Sequence, residues 1–131
     1  MAPHVITFNP GRDPAADEDW KVFQMPEEGE IVEVDVTQHG GTIAGNGSSY
    51  VTVSILDGGA AGTSTGAMAA RGGASVAWAD ATAYTMTITE GTINKGDWIV
   101  ARWDETGTVS VADLQIAIHV VYGSPAGAGP N

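Results

Sequence analysis

Three histidines and a surplus of carboxylates are the side chains of this chain best suited to chemistry. His4, His39 and His119 lie far apart, and none has an acid or a second histidine at the spacing that builds a metal site within one element. A single histidine on the polar side of a strand is ordinarily a surface residue, so no metal site is expected from these three. Sixteen aspartates and glutamates make carboxylate pairs common, and glycoside hydrolysis asks for one such pair at the right separation. Short loops between extended segments leave little room for the substrate cleft that this chemistry needs. The chain has no cysteine, which removes disulfides, thiolate metal sites and cysteine nucleophiles. No Gly-x-Ser-x-Gly elbow is present, and the glycine-rich tract from Gly58 to Gly73 lacks the Gly-Lys-Ser/Thr ending of a phosphate loop. Asn46-Gly-Ser48 fits a glycosylation sequon by letter, but Asn-Gly is above all hairpin-turn chemistry. No catalytic residue, metal ligand or cofactor is expected, and the chain reads as a non-enzyme.

Tryptophan and charge narrow the binding classes. Trp20, Trp78, Trp98 and Trp103 admit two roles: exposed indoles stack on sugar faces, whereas buried ones supply area to a small core or an interface. The second is favoured, and a glycan partner stays open. Trp98 and Trp103 have opposite parity, so at most one of them faces the core of an unbroken strand. The formal charge is −11, with five Lys and Arg residues in all, which argues against general nucleic-acid binding. Nine acids and only two bases fall between Arg12 and Asp35, a local net of −7. That stretch is read first as a solvated surface, with docking on a basic partner as its sharper alternative. Calcium is a minor third possibility, since Asp13-Pro-Ala-Ala-Asp-Glu-Asp does not follow the EF-hand pattern. The start, Met1-Ala-Pro-His-Val, shows no secretory signal, and no apolar run reaches the ~20 residues of a membrane span.

The elements that must position these side chains are strands. From Asp113 to Tyr122 the residues Leu114, Ile116, Ile118, Val120 and Tyr122 share one parity, while Gln115, Ala117 and His119 share the other. An antiparallel sheet covered on one face gives this alternation. It recurs at Val32, Val34 and Val36, at Val51, Val53 and Ile55, and at Tyr84, Met86 and Ile88 within Thr82 to Thr89. Residues 74–79 read as a further short strand, whereas Gly58 to Gly73 reads as a loop, either mobile or ordered only against another subunit. The predicted fold is all-β: a single antiparallel sandwich of about eight strands. Three regions follow: an N-terminal arm or irregular edge segment over 1–29, the sandwich over 30–122, and a flexible tail over 123–131. Val5, Ile6, Phe8, Trp20 and Phe23 are the apolar anchors of the arm. They lie across the domain's own core or reach onto a neighbouring subunit. On the second reading, removal of residues 1–24 leaves the sandwich folded and weakens attachment.

The run Ile93-x-x-Gly-Asp-Trp-Ile-Val-Ala-Arg, the following Gly-Thr and the terminal strand Leu-Gln-Ile-Ala-Ile-His-Val-Val resemble small β-sandwich structural proteins of tailed bacteriophages, namely capsid decoration (cement) proteins and head-fibre domains. The likeness is motif-like only over about 93–122. It implies a jelly-roll-like, homotrimeric sandwich that binds the major capsid protein on the outside of the virion head, with Val5, Ile6, Phe8, Trp20 and Phe23 as candidate capsid or subunit contacts, and stabilises the shell after assembly in the bacterial cytoplasm. Neither nucleic acid nor membrane is an implied partner. A carbohydrate-binding or adhesion domain of a head fibre, tail or baseplate is the alternative.

Overall fold

Alternation of apolar and polar residues decides the architecture. The computed structural model describes residues 3–123, and every regular element in them is a strand. These are β1 (His4–Phe8), β2 (Asp17–Gln24), β3 (Gly29–His39), β4 (Tyr50–Asp57), β5 (Gly66–Gly72), β6 (Ala83–Thr85), β7 (Thr87–Ile88), β8 (Thr92–Ile93), β9 (Trp98–Thr106) and β10 (Asp113–Tyr122). All pair antiparallel, in two five-stranded sheets. The first runs β1-β10-β3-β6, with β8 also on β3; the second runs β2-β9-β4-β5-β7. The expected all-β antiparallel sandwich is the fold. Of the tail expected over 123–131, residues 124–131 lie outside the described residues.

The core forms where the apolar parities of the two sheets meet. Leu114, Ile116, Ile118 and Val120 of β10 are fully buried, as are Val34 and Val36 of β3. Facing them are Val51, Val53 and Ile55 of β4, Ile99, Ala101 and Trp103 of β9, and Met68 of β5. Each fully buried aliphatic side chain contributes roughly 1.5–3 kcal/mol of transfer free energy.

Four local readings change. Val32, expected inside, is 44% exposed, because the β3–β10 register slips between His119 and Val120. This bulge sets Ile31 opposite Val120, turns Val32 outward, and leaves Glu33 opposite His119.

The tract from Gly58 to Gly73 is not one loop, since its second half is β5. The first half folds back over the outer face of the second sheet, where it covers Leu56 and Val100, 4% and 2% exposed. Small residues permit this approach: a Cβ on Gly58 would stand 2.6 Å from Val100 Cγ2. The turn is fixed by Gly58 N–H donating to Trp98 O (2.8 Å) and Trp98 N–H donating to Gly59 O (2.9 Å).

Residues 74–79 are a turn with a single bridge, Ile43 to Trp78, rather than a strand. Thr82 to Thr89 keeps its inward parity but divides at Met86. β6 stays on β3 in the first sheet, and β7 crosses to β5 in the second.

The segment over 1–29 does lie at the edges, as an integral part of the pairing. It supplies β1 to one sheet and β2 to the other, joined by irregular residues 9–16. The Phe8 and Trp20 rings, 5.2 Å between centroids, close the gap between the two sheets at that edge.

Candidate functional site

Strand pairing assembles side chains that the linear sequence keeps apart. On the outer face of the first sheet, Glu33 and Asp35 project from β3 beside His119 of β10. His119 Nε2 is 3.4 Å from Asp35 Oδ2 and 3.8 Å from Glu33 Oε2, and Thr85 O–H donates to Asp35 Oδ1 (2.7 Å). The hydrogen bond and negative charge of Asp35 hold the Glu33 carboxyl above its ordinary range. Burial pushes Asp35 upward, but hydrogen bonds from Glu33 and Thr85 and the His119 charge outweigh it and leave Asp35 below its ordinary range. One ligand atom from each of Glu33, Asp35 and His119 lies within 4.8 Å of the others, a donor set that could hold a divalent ion. The neutral alternative is an ion-paired patch on a half-exposed sheet face, and nothing further in the described residues points to an ion.

A second assembly lies on β2 and β9. Asp17, Glu18, Asp19, Arg102, Trp103 and Asp104 line a cleft of about 370 Å³. Arg102 binds Asp19 through two hydrogen bonds (2.8 and 2.9 Å), which hold that carboxyl below its usual range. Arg12 grips both oxygens of Glu18, and with the Ala15 N–H it lowers the Glu18 carboxyl to about 2. Asp17 stands directly across from Asp104, whose carboxyl is raised first by the hydrogen bond to Asp17 and then by burial. Arg71 is spent inside the fold, its guanidinium 4.3 Å above the Trp78 ring and 3.7 Å above Tyr84. With Arg12, Arg71 and Arg102 so engaged, the exposed charge is overwhelmingly negative. Such a surface surrounds the described sandwich with a negative potential.

The five anchors expected to contact a capsid or neighbour are placed as follows. Ile6, Phe8, Trp20 and Phe23 are half-buried against the chain's own core, while Val5 is 53% exposed on the outer face of β1 beside His119. Of the tryptophans, Trp78 and Trp103 are buried, and Trp20 and Trp98 are half-buried. The described residues therefore present no row of open indoles for a sugar. His39 ends β3 in an exposed position, and the His4 ring stacks at a tilt 4.9 Å from Tyr122. The acids around His119 and the Asp17–Asp104 pair went unread in the sequence. Outward parity marks each of these residues, but the register that joins the strands is a tertiary fact.

No family model matches this sequence, and neither does any curated protein. Among solved structures, a chain in the acidic stable capsid structure of Helicobacter pylori bacteriophage KHP30 has a similar fold, with a TM-score of 0.51 and 15% sequence identity. The match covers 94% of this chain and 90% of that one, so the likeness spans the sandwich as a whole and is a likeness of fold.

Proposed function

We propose that this chain is a non-enzymatic structural protein of a phage virion, a decoration protein that binds the outside of the head and stabilises the shell. The observation that carries the reading is the end-to-end fold likeness to a chain of a phage capsid. The winding agrees with it. β1 pairs with the final strand, β2 with the strand before it, β3 with β6 and β4 with β5, which is the nested order of an eight-strand jelly roll, here with β7 and β8 as short additions. The acidic surface suits attachment to a basic region of the major capsid protein, and a homotrimer would repeat that contact around one axis. Weak single contacts suffice for a shell protein present in many copies, because simultaneous engagement multiplies affinity.

The test is sedimentation of the purified chain with isolated capsids that lack it, after its mass in solution has been measured by light scattering. A trimer that pellets with capsids and saturates at a fixed ratio to the capsid protein is expected. A chain that stays in the supernatant at every ratio would overturn the proposal.

A further inference from the structure

We propose that the free edge of β1 is a docking strip on which an extended segment of another polypeptide of the shell, neutral and β-branched in its middle and basic at its ends, adds as a sixth strand of the first sheet, a docking mode that rests on the shell reading above and names its contact surface. Among the described residues the two sheets present four edges, and three of them carry devices that discourage pairing. β2 has Asp17, Glu18, Asp19 and Lys21, and a bulge between Lys21 and Phe23. β6 and β8, on the far side of the first sheet, have three and two residues, and β7, on the far side of the second, has two. β1 has none of these devices. Its five residues include no carboxylate, lysine, arginine or proline, and they pair with β10 in an unbroken register.

The strip has both a backbone and a side-chain component. Pairing with β10 uses the N–H and C=O groups of every second residue of β1, and the groups between them point away from the sheet. Pro3 before the strand and Pro10 after it bound the strip, since proline offers no N–H to a ladder. Val5, 53% exposed, and Thr7 lie on the outer face of the sheet, opposite His119 and Ala117. Ile6 and Phe8 point the other way and are only half-buried against the core. A strand laid along β1 would cover both of them and set its own alternate side chains beside Val5 and Thr7. β-branched residues suit that half-covered, pleated position.

Charge around the strip selects the occupant. At one end the His4 ring lies on Tyr122, whose hydroxyl is raised by burial and by the charge of Glu27. At the other end the chain continues from Phe8 towards Asp13 and Asp17, and Arg12 in that stretch is already held by Glu18. The middle of the strip is therefore neutral and both ends are acidic. A second copy of the chain fits poorly, because β1 laid on β1 would bring acidic ends together on two molecules of net charge −11. A segment with Lys or Arg at its ends and an uncharged middle matches the whole strip.

The test is amide hydrogen exchange over residues 4–8 of the intact chain, free and bound to isolated capsids that lack it. About half of these amides should exchange quickly in the free chain and become protected on the capsid. Two variants separate the strip from general charge. Thr7→Glu sets a guard charge at an exposed position of β1, and Thr65→Glu adds the same charge at an exposed position just before β5 in the second sheet. Thr7→Glu should keep the wild-type urea midpoint and lose most of the pelleted fraction, while Thr65→Glu pellets as the wild type does. If Thr7→Glu destabilises the sandwich, the exchange measurement on the wild type decides alone. Unchanged exchange over 4–8 in a chain that pellets, or equal losses in the two variants, would overturn the strip and leave the shell reading standing. A wild type that never pellets would overturn both. A wild-type dimer that Thr7→Glu dissociates would give the edge to a second copy and overturn the proposed occupant.

Discussion

Trp103 joins core packing to loop position within one side chain. Its indole is 1% exposed between the sheets, and its Nε1–H donates to Glu105 Oε1 (2.9 Å). Glu105 in turn accepts the Val109 N–H through its other oxygen, which ties the β9–β10 turn to the strand. Trp103→Ala should cost about 3–5 kcal/mol through cavity formation and lost burial, and Trp103→Phe distinctly less. Both are read from urea unfolding at pH 7, and equal costs would show that the ring's volume is not what matters. Parity predicted that only one of Trp98 and Trp103 faces the core, and Trp103 is that one. Parity failed at Val32, because a single extra residue in β3 reverses the facing of its neighbours, and nothing in Ile31-Val32-Glu33 announces a bulge. Glu33 faces His119 in the unbroken register that begins at Asp113 and His39, and a cross-strand neighbour of this kind is hidden from a reading of each strand alone.

At the scale of elements, the long strands were legible because β3, β4, β9 and β10 each bury one face and wet the other. The short strands were not. β7 and β8 have two residues each, too few to show a period. β5 is built from Gly, Ala, Met and Arg, a composition that carries no β-signal and becomes a strand only because β4 offers it an edge. The N-terminal segment left two readings open, across the domain's own core or onto a neighbour, because its prolines and glycines break it into short pieces. Those pieces are the edge strands of both sheets, and their Ile6, Phe8, Trp20, Val22 and Phe23 pack on the core. Deleting residues 1–24 should therefore abolish cooperative unfolding and leave a chain that binds apolar dyes, measured by circular dichroism and urea titration. A truncated chain with an unchanged sigmoidal transition would show that the sandwich closes without β1 and β2.

Across the whole molecule, the winding and the charge act together. β1 and β2 leave an open edge on each sheet, and open edges invite pairing with another chain. Asp17 and Asp19 on β2 guard one edge against indiscriminate pairing. Raising ionic strength should weaken attachment to capsids if the acidic surface makes the contact, with the bound fraction in pelleting experiments falling steadily as salt is added. Binding indifferent to salt would shift the contact to apolar residues such as Val5 and Val32 on the first sheet's outer face. The most direct measurement is a cryo-electron microscopy comparison of capsids with and without the added chain. Discrete new density the size of this sandwich, standing on the outer surface at symmetry-related positions of the head, is the expected result. Unchanged capsid density at saturating protein would contradict the assignment to the shell.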